Sequence, residues 1–161
     1  MVTRLDTRLQ LKLLSAMPSF LQAALVRATP RALRARTAPE AFCLIEHACH
    51  LRDLEREGYA LRLKRMLEET TASLEDFEGD VVARQRNYMV QDPRDAAAEF
   101  AIARAAFVAR AEALTEAELA RTGTFGGRTI TVGDLLSMMV EHDEGHRLEI
   151  AALVQLEEPA A

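Results

Sequence analysis

Residues 131–153 read TVGDLLSMMVEHDEGHRLEIAAL, and this stretch decides the fold. Thr131 and Asp134 have the spacing of an N-terminal capping box, so a helix is expected to begin just after Thr131. Apolar residues then recur every three or four positions along one side of the helix. His142 and His146 fall on that side, one turn apart. The pattern predicts a long helix that faces a core and carries two imidazoles into it.

The composition of the whole chain favours the same helical class. Its 161 residues are rich in Ala, Leu, Glu and Arg, contain no Trp, and include only seven Gly and five Pro. Helices use such residues more than sheets do, and a chain of this length can bury about two-thirds of its unfolded surface in one core. We therefore expect an all-α protein in which residues 1–161 form a single domain.

Capping signals and proline positions predict the first half of the fold. The first helix is expected over residues 3–26, with Pro18 breaking or kinking it because proline lacks the N–H that a helix interior requires. Thr37 and Glu40 form a second capping box with a proline between them. The second helix is therefore expected over residues 39–69.

The second half of the chain is predicted to follow a long crossover. Residues 70–91 lack a comparable apolar period, and only a short helix is expected within 81–89. An N-cap followed by proline predicts a third helix over residues 93–114. A short capped helix over 115–123 and a tight turn at 126–127 should precede the fourth helix. We predict a four-helix bundle with a long crossover between the second and third helices.

Charge and hydropathy exclude two classes of partner. The net charge is -5, and the 20 basic and 25 acidic residues are intermixed, so no cationic field is available for a phosphate backbone. The N-terminus lacks the continuous apolar region of a signal peptide, and no uninterrupted apolar run approaches the roughly 20 residues that span a bilayer. Cys43 and Cys49 face different sides of one helix and are expected to be reduced core thiols. We expect a cytoplasmic protein that binds neither nucleic acid nor a membrane.

The histidine pair is a candidate metal site that still needs a further ligand. Two imidazoles at i and i+4 project from one helix face and can bind the same ion. A core imidazole nitrogen without a partner costs about 1–3 kcal/mol, so a histidine in an apolar stripe requires a hydrogen bond or a metal. The chain has only two other histidines, His47 and His50, and both lie in the predicted second helix. Helical periodicity lets either one face inward and does not choose between them.

Four short sequence elements follow one another between residues 42 and 153: HLRDLE at 50–55, Gly79-Asp80 with Ala83, Arg86 and Tyr88, then Phe100 with Arg104, and HDEGH at 142–146. In this order they resemble the DinB-like family of helical metalloproteins. That resemblance implies a four-helix bundle, commonly a homodimer, that binds a divalent metal ion, often zinc or nickel. It also implies that His50, His142 and His146 are the metal ligands and that His47 is a neighbour.

Three imidazole ligands leave a coordination position open, as catalytic rather than structural metal sites do. Water bound to such an ion approaches a pKa of about 7, and a bound thiol is deprotonated. Characterised DinB-like proteins include transferases and isomerases that use small thiols such as bacillithiol or mycothiol. The resemblance therefore implies a metal-dependent enzyme, either a thiol-dependent transferase or isomerase or a hydrolase, with a small-molecule thiol or electrophile as partner. The alternative is a non-catalytic bundle in which the metal or the histidines stabilise the fold or a dimer.

Several other polar residues have more than one interpretation. Arg104 falls within the apolar stripe of the third helix, where it can meet an anionic substrate group, pair with a buried carboxylate or extend to solvent. Arg86 and Tyr88 either border the pocket from the crossover or serve as a surface arginine and a packing tyrosine. Three carboxylates either orient ligand histidines or lie solvated on helix faces: Asp53, Glu57 and Asp143.

Overall fold

Four long helical segments form the bundle, and the computed structural model describes them within residues 4–156. The predicted helix start at residue 3 and the tail at 157–161 lie outside the described residues. The second segment is composite, because an α-helix, a π-helical turn and another α-helix follow one another without a break. The segments are α1 (Arg4–Arg27), α2 (Leu44–Asp53) with the π-helical turn (Leu54–Tyr59) and α3 (Ala60–Glu68), α5 (Pro93–Glu112) and α7 (Val132–Gln155).

The predicted starts of α5 and α7 are confirmed. At the N-terminus of α5, the Asp92 side chain accepts a hydrogen bond from the Arg94 amide at 2.8 Å. Thr131 and Asp134 form the reciprocal capping box of α7, with bonds of 2.8 and 3.0 Å. Both caps satisfy amides that a helix N-terminus leaves without a partner, so these two boundaries follow from local sequence.

α1 is one continuous helix through Pro18, which excludes the break that was one of the two effects predicted for this proline. Proline removes the amide that would bond to the carbonyl of Leu14, four residues earlier. Arg104 of α5 supplies the missing donor, and its Nη1 lies 3.0 Å from the Leu14 oxygen. Leu14 and Leu21 are fully buried on either side of the proline. Packing and a substitute hydrogen bond therefore keep the helix continuous where local preference predicts a break.

α2 begins at Leu44, later than the predicted start near residue 39. The glutamate that caps it is Glu46, whose carboxylate accepts a hydrogen bond from the Cys43 amide at 3.1 Å. Residues 37–40 are exposed, so a helix there would bury no apolar surface, whereas Cys43 and Leu44 are fully buried. Because most of the stability of a helix in a protein comes from packing, the later capping box determines the start.

The π-helical turn changes which residues of the second segment face the core. Counting 100° per residue from His50 places Glu57 on the inner face and Glu55 well away from it. A π-helical turn takes more residues per turn and shifts this count. Glu55 is 1% exposed, whereas Glu57 lies on the surface. The carboxylate that enters the core is therefore Glu55.

A small sheet, which the sequence analysis missed, joins the crossover to the connection before α7. β1 (Ala72–Leu74) pairs in parallel with β2 (Thr122–Phe125), which pairs antiparallel with β3 (Arg128–Thr131). The predicted tight turn joins β2 to β3, and Gly126 and Gly127 adopt positive φ angles of 58° and 75° there. The strands are too short for a period to be visible in the sequence. The short helices are α4 (Gly79–Gln85), α6 (Glu116–Leu119) and two 3-10 turns (Ala32–Arg34 and Tyr88–Val90).

A polar layer crosses the bundle between two apolar clusters. The first apolar cluster includes Met17, Leu51, Phe100 and Ile150, and the second includes Leu14, Leu54, Phe107 and Met139. Each of the four long segments carries residues of the first cluster on one side of a point along its length and residues of the second on the other side. The buried side chains of His50, Glu55, Arg104 and Asp143 lie at or next to the points where one cluster ends and the other begins. We call these four residues, together with His47, His142 and His146, the polar layer. The flanking residues are Met17 and Leu14 on α1, Leu51 and Leu54 on the second segment, Phe100 and Phe107 on α5, and Ile150 and Met139 on α7.

Among the described helices, α1 is long and apolar enough over Thr7–Arg27 to cross a membrane by length and composition. Arg8 and Lys12 interrupt the apolar residues of this helix, and core helices of globular proteins pass the same test. In the structure α1 is a bundle helix: Gln10 donates a hydrogen bond to Ser137 of α7 at 2.7 Å, and Arg147 of α7 lies over the Phe20 ring. The apolar composition of α1 is therefore used for packing against its neighbours.

Candidate metal centre

α2 and α7 bring three imidazoles to one point. The Nε2 atom of His142 lies 3.5 Å from Nε2 of His50 and 3.0 Å from Nε2 of His146. Two nitrogens that bind one tetrahedral ion at about 2.0–2.1 Å are themselves about 3.3 Å apart. The observed separations fall on both sides of that value, so the three side chains can hold a metal ion after small shifts. The structure thus brings together the three histidines that the family resemblance implied.

His47 also reaches His146, but at a shorter distance. Their Nδ1 atoms lie 2.8 Å apart, and Nε2 of His47 lies 3.4 Å from the Glu149 carboxylate. His47, His146 and Glu149 therefore form a second group that could hold a cation. A separation of 2.8 Å is typical of a hydrogen bond and is shorter than the spacing of two nitrogens on one ion. The geometry favours His47 as the hydrogen-bond partner of His146, with Glu149 next to it.

Burial keeps these imidazoles neutral. Burial, together with the nearby His142 and His47, lowers the pKa of His50 to about 3. It likewise lowers the pKa values of His47 and His142 to about 4, and it holds the pKa of His146 far below its usual value. Neutral imidazole is the form that binds a metal ion. No proton has to leave these ring nitrogens before an ion binds at neutral pH.

Three buried ring nitrogens of the cluster have no hydrogen-bond partner among the described residues. They are Nδ1 of His50, Nδ1 of His142 and Nε2 of His47, of which the last lies near the Glu149 carboxylate without forming a hydrogen bond. A buried polar atom without a partner costs about 1–3 kcal/mol, so rings placed in this way do not stabilise the fold by hydrogen bonding. The three convergent Nε2 atoms are the donor set that fits a bound ion, and coordination there would give the rings a stabilising contact that hydrogen bonding does not provide.

Aromatic rings and one glycine enclose the histidines. The Phe77 ring lies 5.9 Å from the His50 ring, measured between centroids. The Tyr59 ring lies at the same distance, 5.9 Å, from the His142 ring. Gly79, the first residue of α4, lies directly against His50, because a Cβ atom at this position would be 2.8 Å from the ring. The surroundings of the cluster are thus apolar on these sides, which limits the access of water.

The carboxylates that we expected to orient the histidines bind elsewhere. Asp53 is buried, accepts a hydrogen bond from the Tyr88 hydroxyl at 2.7 Å and pairs with Arg86 at 2.9 Å. Glu57 is exposed and also pairs with Arg86, at 2.7 Å. Asp143 is buried against an arginine of α5. Within residues 4–156 none of the three forms a hydrogen bond with a histidine, so the orienting role is wrong and only Glu57 fits the solvated alternative.

Arg104 pairs with buried carboxylates, which was one of its three interpretations. It is 1% exposed, binds Asp143 at 2.6 and 3.2 Å, and binds Glu55 at 2.9 Å. Burial alone would lower its pKa, but the two carboxylates raise it above its usual value. The sequence analysis missed Glu55 because regular helical counting places it away from the core. It also missed Glu149, which looks like an ordinary surface residue of α7.

Fold and site together define a four-helix bundle protein with a histidine cluster between its second and fourth long segments. The chain belongs to the DinB superfamily, whose family model matches residues 13–150. Among solved structures it is similar to YfiT from Bacillus subtilis, described as a probable metal-dependent hydrolase with an unusual four-helix bundle topology. The two chains are 19% identical, with a TM-score of 0.89 over 96% of this chain and 89% of YfiT. At this identity the likeness shows the fold, which confirms the predicted bundle, and no curated protein matches the chain.

Proposed function

We propose that this protein binds one divalent metal ion through His50, His142 and His146 and acts as a metal-dependent hydrolase. The observation that carries the proposal is the convergence of three Nε2 atoms, with separations of 3.0 and 3.5 Å, in a largely apolar setting. Membership of the DinB superfamily and the description of YfiT as a probable metal-dependent hydrolase support it. Three neutral imidazoles suit zinc and nickel alike, and we propose one of these two ions.

The residues around the ligands would have distinct tasks in such an enzyme. A divalent ion held by three imidazoles keeps a position open and lowers the pKa of a water there to about 7, which supplies a nucleophile at neutral pH. His47 would accept a hydrogen bond from Nδ1 of His146 and so fix the tautomer that leaves Nε2 free to bind. Tyr59 and Phe77 would restrict the approach of solvent and substrate to the open side of the cluster.

Metal analysis of three proteins tests the ligand set. We expect stoichiometric zinc or nickel in the wild type and in His47→Ala, and none in His50→Ala, because of these two histidines only His50 is a proposed ligand. Retention of metal in His50→Ala with loss in His47→Ala would instead support the group of His47, His146 and Glu149. If wild type binds no divalent ion even after reconstitution, the proposed function is wrong.

Activity assays separate hydrolysis from the other expected reactions. The metal-loaded protein would be screened against esters and amides, and against electrophiles in the presence and absence of small thiols. We expect hydrolysis that requires the metal and no thiol. Products that form only with a thiol would favour the transferase or isomerase, since the open position can also bind a thiolate. A lower melting temperature without metal, combined with no metal-dependent turnover, would favour the non-catalytic alternative.

We further propose that the protein is a cytoplasmic homodimer. Leu9 and Leu13 lie one turn apart on α1 and are 58% and 46% exposed, which leaves an apolar face that a second copy could cover. Cys43 and Cys49 are buried free thiols, as predicted, and suit a reducing compartment. Light scattering should give twice the chain mass for the wild type and the chain mass for a Leu9→Glu, Leu13→Glu variant. A monomeric wild type would contradict the dimer.

A further inference from the structure

One buried guanidinium joins all four long segments of the bundle. Arg104 on α5 donates a hydrogen bond to the Leu14 carbonyl on α1 at 3.0 Å. It also binds both carboxylate oxygens of Asp143 on α7, at 2.6 and 3.2 Å, and one oxygen of Glu55 in the π-helical turn, at 2.9 Å. A guanidinium presents its donors in a rigid plane, so each of these bonds has a fixed direction. The contacts therefore define the relative height and rotation of the segments.

Two of the groups that Arg104 binds belong to the segments that carry the histidines. Asp143 directly follows His142, and Glu55 follows His50 by five residues on the same continuous segment. The 3.5 Å between the Nε2 atoms of His50 and His142 depends on how α7 is placed against α2. Metal sites tolerate deviations of only about 0.2 Å in their ligand distances, so a small slip of either helix would separate the ligands.

Stability alone does not explain the buried ion cluster. Removing ions from water costs about as much free energy as their attraction returns, so apolar residues of similar volume are often equally or more stable. Here Oε1 of Glu55 and Nε of Arg104 are also buried without a hydrogen-bond partner among the described residues. What the cluster adds is orientation, because a network of directional bonds selects one arrangement of helices that apolar packing alone would not specify.

We propose that Arg104 is a positioning residue of the histidine cluster. Through Asp143 and Glu55 it places α7 against α2 so that the ring nitrogens of His50 and His142 meet. Arg104 acts through these carboxylates and, among the described residues, forms no hydrogen bond with the ligand rings. The metal measurement below rests on the proposed function, whereas the measurement of ring geometry does not.

Two variants separate positioning from stability. Arg104→Lys keeps the charge, but a single ammonium cannot reach both carboxylates and a carbonyl in the same plane. The triple variant Arg104→Met, Glu55→Met, Asp143→Val removes all three charges and leaves no unpaired polar side chain at these positions, so the metal-free protein should unfold at a urea concentration close to that of wild type. Arg56→Lys is the matched control. Arg56 lies next to Glu55 in the π-helical turn, but its ion pair with Glu99, at 2.8 Å, is exposed.

NMR of the metal-free proteins measures the ring geometry directly. The ring centroids of His50 and His142 lie 5.6 Å apart, close enough for nuclear Overhauser contacts between their ring protons. We expect these contacts in wild type and in Arg56→Lys, and their loss in both Arg104 variants while the helix content by circular dichroism is unchanged. Full contacts in the triple variant would overturn the inference, and so would their absence from wild type.

Cobalt binding gives the second readout. We expect both Arg104 variants to bind Co²⁺ roughly tenfold or more weakly than wild type, with an altered visible absorption, while Arg56→Lys matches wild type. A triple variant with wild-type affinity and spectrum would show that Arg104 has only a structural role. A wild type that does not bind Co²⁺ would contradict the proposed function, and the ring contacts would then decide the positioning role by themselves.

Discussion

The polar layer and the second apolar cluster both bury side chains of α7, but burial affects the stability of the fold differently in the two regions. Leu136 and Met139 are fully buried in the second apolar cluster, where burial itself stabilises the fold. By contrast, five of the six buried side-chain polar atoms without a partner, among the described residues, belong to the polar layer. Such atoms lower stability. The difference indicates that the apolar clusters stabilise the bundle and that the polar layer is organised for binding.

The largest effect is expected from His142→Ala in the polar layer. The substitution removes a proposed ligand, so metal affinity should fall by roughly a hundredfold or more. It also removes a buried nitrogen without a partner, so the metal-free variant should be about as stable as wild type. Elemental analysis and urea unfolding of the metal-free proteins measure the two effects. Full metal content in the variant would contradict the inference that the polar layer binds the metal.

Acid should destabilise the metal-free protein through the polar layer. The pKa values of His47 and His142 are about 4 in the folded protein and about 6.5 in the unfolded chain. Below pH 6.5 the unfolded state therefore binds more protons, and the free energy of unfolding falls as the pH decreases from 6.5 to 4. The slope is about 1.4 kcal/mol per pH unit for each such histidine.

Urea unfolding at several pH values measures this slope. His142→Ala should reduce it, because one titrating group is gone. A substitution in the second apolar cluster should leave it unchanged, since no group of that cluster titrates between pH 4 and 6.5. Equal slopes for wild type and His142→Ala would be evidence against the buried neutral state of that imidazole.

The second apolar cluster should show the opposite pattern in Leu136→Ala. Leu136 is fully buried, and replacing such a side chain by alanine usually destabilises a protein by about 2–5 kcal/mol. Metal affinity should be unchanged under conditions in which the variant remains folded, because Leu136 lies more than one turn from His142 and is not a proposed metal ligand. Urea unfolding and chelator competition test this. A large loss of affinity at full folding would show that the two regions are coupled.

The smallest effects are expected from a pair of alanine substitutions at glycines. A Cβ at Gly79 would lie 2.8 Å from the His50 ring, so Gly79→Ala should displace the ring and weaken metal binding about tenfold. At Gly145 the equivalent position has no atom within 4 Å apart from the backbone of its own helix and its chain neighbours, so Gly145→Ala should leave affinity unchanged and stabilise α7 by about 0.5–1 kcal/mol. Chelator competition and thermal unfolding distinguish them. Equal affinities in both variants would show that Gly79 does not hold His50 in place.

Local sequence signals predicted those parts of the fold that depend on neighbouring residues. The N-cap at Asp92 and the capping box of Thr131 and Asp134 gave the right starts for α5 and α7, and Gly126-Gly127 marked the turn between β2 and β3. The predicted start of α2 near residue 39 was wrong, because nothing would be buried there. Of the two effects predicted for Pro18, a break or a kink, the break does not occur, since Arg104 replaces the missing donor.

The candidate site was predictable only in part. The placement of His142 and His146 on one face follows from the helical repeat, and the family resemblance implied His50 as the third ligand. Glu55 could not be found by counting, because the π-helical turn shifts the helix phase after His50. The three-stranded sheet was also missed, because the pairing of β1 with β2 joins residues far apart in the sequence.

The sequence by itself determined the helical class, the capped starts of α5 and α7 and the placement of two imidazoles on one helix face. These features depend on interactions between residues a few positions apart, so a short segment of the sequence contains all the residues involved. Only the tertiary structure decided that Nε2 of His50 lies next to Nε2 of His142, while His47 lies at hydrogen-bond distance from Nδ1 of His146. It also decided that Arg104 pairs with Glu55 and Asp143. The reason is physical: these contacts depend on the relative height and rotation of separate helices, which packing across the whole bundle sets.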